Sequence, residues 1–159
     1  MKTKVLSLLV DNTAGVLSRV SGMFSRRGYN IDSLTVGVTE NPKYSRMTVA
    51  VSGDDRIIMQ IKNQLNKLED VIDVVELESD SSVCRELVLV KVKADAEERQ
   101  RIIAIVDVFR AKIVDVSVDS MIIEITGNNT KVDALLRLLD GFTVEQLVRT
   151  GLTGLTRGL

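Results

Sequence analysis

Val5-Leu6-Ser7-Leu8-Leu9-Val10 runs straight into Asp11-Asn12-Thr13-Ala14-Gly15-Val16-Leu17, and the change of rhythm between these stretches decides the fold. The first is a short apolar run, the mark of a buried strand. The second supplies turn chemistry, after which Val16, Leu17, Val20, Met23 and Phe24 recur at helical spacing. The opening unit is therefore strand, loop, helix. Gly28 follows the periodic run where a left-handed helix end is expected, and Leu34, Val36 and Val38 then alternate with Thr35, Gly37 and Thr39 in a second strand.

Asn41-Pro42-Lys43 makes the next turn, and Met47, Val49 and Val51 alternate in a third strand. Gly53-Asp54-Asp55 opens a helix carrying Ile57, Ile58, Ile61, Leu65 and Leu68, and a last strand runs from Val71 to Leu77. The order β-α-β-β-α-β predicts a ferredoxin-like sandwich, with both helices on one face of an antiparallel sheet and the other face still to be covered. Glu78-Ser79-Asp80-Ser81-Ser82 reads as a linker, after which the pattern restarts. Leu87 to Val92 form a strand, and Ile102, Ile105, Val106 and Phe109 lie on a helix. Ile113 to Val118 and Met121 to Thr126 form a hairpin around Asp119-Ser120. Thr130 with Asp133 starts a helix carrying Val132, Leu135, Leu136 and Leu139, and Val144 to Val148 closes the unit. The expected fold class is α+β, two ferredoxin-like βαββαβ sandwiches in tandem over 1–78 and 79–159. Arg149 to Gly158 fits neither period, because its glycines interrupt any regular element, and reads equally as a docking tail or a frayed end.

Composition narrows the function. The 159 residues are 45% hydrophobic and 27% charged, a globular balance. Lys and Arg total 21 against 22 for Asp and Glu, so no global field gathers nucleic acid or an anionic membrane. Aromatic residues are 3%, too few for the stacking platform of RNA-binding sheets of similar fold. Asp11 and Asn12 end the first apolar run too early for a signal sequence, and the one cysteine, Cys84, fits a reducing compartment; a cytoplasmic location is expected. The absence of histidine removes the side chain most used near neutral pH for acid-base work and metal ligation. Asp54-Asp55 and Glu97-Glu98 sit at expected helix N-termini, where the helix dipole accounts for them without catalysis. No phosphate-cradle or dinucleotide fingerprint is present.

The candidate site is the loop from Asp11 to Leu17. Backbone N–H groups of an opening helix turn suit a carboxylate, Gly15 permits close approach, and the Asn12 side-chain oxygen could meet an ammonium. The helix end favours an anion by about 0.3 to 1 kcal/mol, and burying a branched aliphatic side chain adds about 1.5 to 3 kcal/mol. From spacing alone, an ordinary polar turn with a helix cap is the better explanation of the same residues. Gly28-Tyr29-Asn30 reads in the same way as a helix stop.

Longer stretches carry more. Val5 to Leu17 with Ser18-Arg19-Val20, then Phe24-Ser25-Arg26-Arg27-Gly28-Tyr29-Asn30-Ile31-Asp32-Ser33-Leu34-Thr35-Val36, resemble the ACT domain of acetolactate synthase small subunits. The resemblance continues through Ser45-Arg46-Met47-Thr48, Leu65-Asn66-Lys67-Leu68, Arg85 to Val92, Arg149-Thr150-Gly151 and Arg157-Gly158, and so covers essentially the whole chain. It implies an amino-acid-binding ACT domain over 1–78 and a C-terminal domain with an Arg-Gly tail over 79–159. It implies a non-catalytic regulatory subunit that stimulates a large catalytic subunit and confers feedback inhibition by valine or another branched-chain amino acid. Thiamine diphosphate, FAD and Mg would belong to that partner, with no cofactor in this chain. ACT domains of this type pair edge to edge into a homodimer, which places Asn12, Gly15, Val16 and Leu17 of one domain around the ligand, with Asn30 and Ile31 of the paired one facing it and Asp11 bordering the pocket. Asp11 stands where the family often has Glu, and Ala94 to Glu98 also departs from the commonest pattern. A free-standing ACT sensor would leave the second half unexplained. A small acylphosphatase-like enzyme would need an arginine between Asp11 and Leu17, and there is none.

Overall fold

The apolar run and its turn become β1 (Lys2–Asp11), followed by α1 (Val16–Arg26), in a computed structural model that describes residues 2–159. β2 (Ile31–Val38), β3 (Tyr44–Gly53), α2 (Asp55–Asn66) and β4 (Val71–Glu76) complete the expected order. All pairings are antiparallel, and the strands lie in the order β2-β3-β1-β4. Leu6, Leu8 and Val10 of β1 and Met47, Val49 and Val51 of β3 bury their side chains against Val20, Met23 and Phe24 of α1 and Ile58, Ile61 and Leu65 of α2. The period-two and period-3.6 patterns thus meet in one core.

Gly28 sits at φ +70, and the amides of Gly28 and Tyr29 close onto the carbonyls of Ser25 (3.2 Å) and Phe24 (3.0 Å). That is the paired hydrogen bonding of a left-handed helix end. The hydrophobic contact that accompanies such an end is the edge-on packing of Phe24 and Tyr29, ring centres 6.4 Å apart. At the start of α2, Asp54 accepts from the Ile57 amide as expected of an N-cap.

The chain divides into two compact units, the residues up to Cys84 joined by Gly151–Leu159, and Arg85–Thr150. The sequence boundary at residue 78 and the assignment of the tail to the second half differ from this partition. Only Glu78 to Ser81 form the turn expected as a linker; Ser82 already belongs to β5 (Ser82–Lys93), buried, with its hydroxyl donating to the Glu78 carbonyl. The tail is not frayed. Thr153–Thr156 form β9, which pairs with β5, and the Arg157 amide reaches the Ser81 carbonyl at 2.8 Å.

Within this first unit the tail lies on the sheet face that the helices leave open. Gly151, at φ +85, approaches Ser33 so closely that a Cβ there would stand 2.4 Å from that of Ser33. Ser33 pairs with Ala50, on the face opposite the core. Gly154 comes equally close to the Val83 carbonyl and Cys84. Gly151 and Gly154 thus lie where there is no room for a side chain, the first against Ser33 and the second against Val83 and Cys84.

In the second unit, β5 is followed by α3 (Ala96–Val108), β6 (Lys112–Val116), β7 (Ser120–Gly127), α4 (Asn129–Leu138) and β8 (Val144–Arg149), in the strand order β6-β7-β5-β8. Val88, Val90 and Val92 pack with Ile102, Val106, Ile123, Val132 and Leu135 in its core. Asp95 and Glu98 form a reciprocal capping box at α3. α4 starts two residues earlier than expected: Asn128, not Thr130, is its cap, accepting from the Lys131 amide at 2.9 Å, while Asp133 turns to Arg149. The two halves are ferredoxin-like units in tandem, as the alternation of periods predicts.

Candidate functional site

β1 delivers the chain into the loop at Asp11, and three ties hold the loop in place. The Asp11 amide donates to the Asp70 carbonyl (2.9 Å), and the Asn12 amide donates to the Lys43 carbonyl (2.8 Å). The Asn12 side chain spans to the β2–β3 turn, donating to the Pro42 carbonyl (3.0 Å) and accepting from the Ser45 hydroxyl (3.1 Å). The oxygen expected to meet a ligand ammonium is thus already half used, although a carbonyl oxygen accepts two hydrogen bonds.

Gly15 is the N-cap of α1 at φ +85, and no side chain caps the helix. The Val16 amide turns back to the Thr13 carbonyl (3.5 Å), and the next two amides of the first turn, those of Leu17 and Ser18, face an anion arriving at this end. Val16 is buried in the core, so it can offer a ligand little beyond its backbone, whereas Leu17 is 47% exposed beside the loop. Arg19, which spacing alone did not single out, braces the loop from below. It pairs with Asp70, it reaches the Ala14 carbonyl at 3.4 Å, and a Cβ on Gly15 would lie 2.8 Å from its Nη1. The hydrogen bond to Asp70 raises the Arg19 pKa further above its ordinary value. Its signal in the sequence was the i to i+4 spacing from Gly15 to Arg19, one helical turn.

Asn30 and Ile31 do not join this loop within the chain. Asn30 is exposed and donates to Asp32 at 2.8 Å, while Ile31 packs against the core. The register places Ile31 opposite Val51, and Val51 opposite Lys4, whereas Asp11 pairs with Tyr44. Seven residues of β1 separate the two ends, about 23 Å at strand rise. Cavities elsewhere among the described residues include one of about 210 Å³ on the open face of the first sheet and one of about 450 Å³ in the second unit lined by Lys91, Lys93, Asp119, Ser120, Glu145 and Gln146. Among the described residues no group of three His, Cys, Asp or Glu side chains could hold a metal, and no helix is long and apolar enough to cross a membrane.

The matches to known proteins divide the chain at nearly the same place but keep the tail with the second half. Residues 6–73 match the model of the small-subunit-like ACT domain of acetohydroxyacid synthase, and residues 85–158 match that of the small subunit of acetolactate synthase. The acetolactate synthase small subunit of Mycobacterium leprae is 49% identical over 99% of this chain and 94% of its own length. This chain belongs to the acetolactate synthase small-subunit family. The Mycolicibacterium smegmatis member is 52% identical over 98% of this chain and 92% of its own. The crystal structure of the Thermotoga maritima small subunit superposes with a TM-score of 0.91 at 42% identity, covering 100% and 99% of the two chains. As an acetolactate synthase small subunit the chain is a regulatory, non-catalytic component, in keeping with a site built from backbone amides and an amide side chain.

Proposed function

We propose that the chain stimulates the large, catalytic subunit of acetolactate synthase and makes it sensitive to feedback inhibition by valine or another branched-chain amino acid held at the Asp11–Leu17 loop. The observation that carries this reading is the uncapped first turn of α1 behind a left-handed Gly15, which leaves amides free for a carboxylate. Leu17 beside it offers apolar surface for an aliphatic side chain.

The second half of the site comes from a paired copy. β2 is an edge strand, with Val36 and Val38 49% and 63% exposed. An antiparallel pairing of β2 with its own copy over its full length would set Ile31 of the copy opposite Val38, at the end of the sheet where the loop lies. Asn30 and Ile31 of the paired copy would then face Asn12, Gly15 and Leu17, with Val16 beneath and Asp11 at the border. Pairing would also remove an exposed sheet edge. Thiamine diphosphate, FAD and Mg are assigned to the large subunit, none to this chain, and the complex to the cytoplasm. Valine would shift the pair toward a less activating arrangement, with a coupling of about 1 to 3 kcal/mol, the ordinary range for allostery.

Acetolactate formation by the large subunit, measured with and without this chain and with and without valine, tests the reading. Stimulation that valine reverses is expected, and its absence overturns the assignment. Calorimetry of the chain alone should show valine binding that weakens in Asn12→Ala; an unchanged affinity would exclude the loop.

A further inference from the structure

We propose that the cavity on the open face of the first sheet, beneath the C-terminal strand, is a second small-molecule site, for a zwitterionic aliphatic amino acid. Ser7, Arg46, Asp73, Val75 and Leu77 line it from the sheet, and Leu155 with Thr156 lines it from β9. Its volume is about 210 Å³. Drug-sized ligands occupy about 300 to 1,000 Å³, so the occupant is smaller than those.

The charges are what specify the ligand. Arg46 pairs in register with Leu9, and Leu9 with Asp73, so the cation and the anion flank one residue in a single row across three strands. Adjacent strands lie about 4.8 Å apart, which sets their backbones about 10 Å from each other. They form no salt bridge with one another or with any other described residue. Among the described residues Arg46 makes one hydrogen bond, from Nη1 to the hydroxyl of the buried Ser7 at 2.8 Å, which holds the guanidinium on this face and leaves the rest of its donor fork unspent there. The Asp73 carboxylate accepts no hydrogen bond from a described side chain. A positive fork and a carboxylate in one cavity, held apart and each unpaired, match a ligand with a carboxylate at one end and an ammonium beside it. Val75, Leu77 and Leu155 supply the apolar wall for its side chain. Asp73 and Leu155 are exposed, which keeps the cavity open for entry.

This site shares no residue with the Asp11–Leu17 loop and does not depend on the reading of that loop. The test uses the full chain carrying Asn12→Ala, so that binding at the loop is weakened, with the methyl groups of Val75, Leu77 and Leu155 followed by NMR. Titration with L-valine should shift these methyls saturably. 3-Methyl-2-oxobutanoate, which keeps the skeleton and the carboxylate but has no ammonium, should bind roughly ten- to a hundredfold more weakly, the loss expected when a charge-assisted hydrogen-bonding partner is missing. Arg46→Gln should abolish the response, and Asp73→Asn should erase the preference for valine over the oxo acid. Methyls that stay still in the Asn12→Ala chain overturn the site, and so does an equal response to both acids. A response in the native chain that disappears with Asn12→Ala would assign it to the loop, and would leave the loop reading intact while removing this one.

Discussion

Gly15 and Gly28 form a matched pair from which the constraint on the Asp11–Leu17 loop can be measured. Both are left-handed, at φ +85 and +70, and they bound the same helix. A Cβ at Gly28 would meet nothing within 4 Å, whereas one at Gly15 would lie 2.8 Å from Arg19 Nη1. The left-handed backbone costs a side chain about 1 to 2 kcal/mol. Gly28→Ala should therefore lower stability by about that amount, or about 2 to 8 °C in Tm for a chain of this size. Gly15→Ala should cost more, because Arg19 must move and its hold on Asp70 and the Ala14 carbonyl loosens. The assay is thermal unfolding followed by tyrosine fluorescence. Tyr29 and Tyr44 are the two tyrosines, both in the first unit, and there is no tryptophan to mask them. In an Arg19→Ala background the difference between the two glycine variants should close. Equal costs in the native background, or a difference that survives the loss of Arg19, would refute the claim that Arg19 sets the loop's room.

Further outcomes follow from the ion pairs and the tail. Hydrogen bonds from Lys62 and then Lys4 lower the pKa of Glu76, so its stabilisation is full above the unfolded carboxylate pKa and is lost as pH falls through the lower folded value; acid titration of tyrosine fluorescence should show Lys62→Met losing part of that pH dependence. Glu86 is buried and is held by Arg149, which is itself about a third exposed and also bonds Asp133, so Glu86→Gln should cost about 1 to 3 kcal/mol in the second unit, less than a fully buried pair. Asp133→Asn, at the exposed end of the same arginine, should cost under about 1 kcal/mol, and hydrogen exchange at β5 and β8 amides ranks the two. Gly151→Ala cannot keep its approach to Ser33, so β9 amides should exchange faster and the tail should become cleavable by protease; unchanged protection would refute the close fit.

Most of the elements that build the two cores were legible in the sequence because they carry a single period. Val88, Val90 and Val92 alternate along β5, and Ile58, Ile61 and Leu65 recur along α2, and in each case the periodic residues are the buried ones. The boundaries were less legible where two residues could serve the same role. Asn128 and Thr130 both suit a helix cap, and only the geometry of the turn chose Asn128. The tail was unreadable for a different reason. Its four residues of strand have no face of their own to bury, and Gly151 and Gly154 are fixed by what they lie against, which sequence spacing does not contain. Arg46 was quoted only within a longer resemblance, since a lone arginine in a strand gives no sign of the row it shares with Asp73.

The loop and the pair Asn30-Ile31 show how far a single chain can go. They sit at opposite ends of one sheet, about 23 Å apart along β1, because α1 runs from one end to the other and carries a left-handed glycine at each terminus. No loop movement of ordinary size brings them together. Any ligand that touches both must lie between two copies, and a two-fold operator that brings the start of one β2 to the far end of the other makes two equivalent sites at once. Occupancy would then report on the pair rather than on either chain. A ligand bridging the copies stabilises whichever arrangement holds them in register, so the affinity for the effector and the strength of pairing are linked by one free energy. Dilution should therefore weaken the apparent affinity for valine, and valine should shift the chain toward dimer in sedimentation; affinity that is independent of chain concentration across the monomer–dimer transition would show that one copy suffices, and would exclude Asn30 and Ile31 from the site.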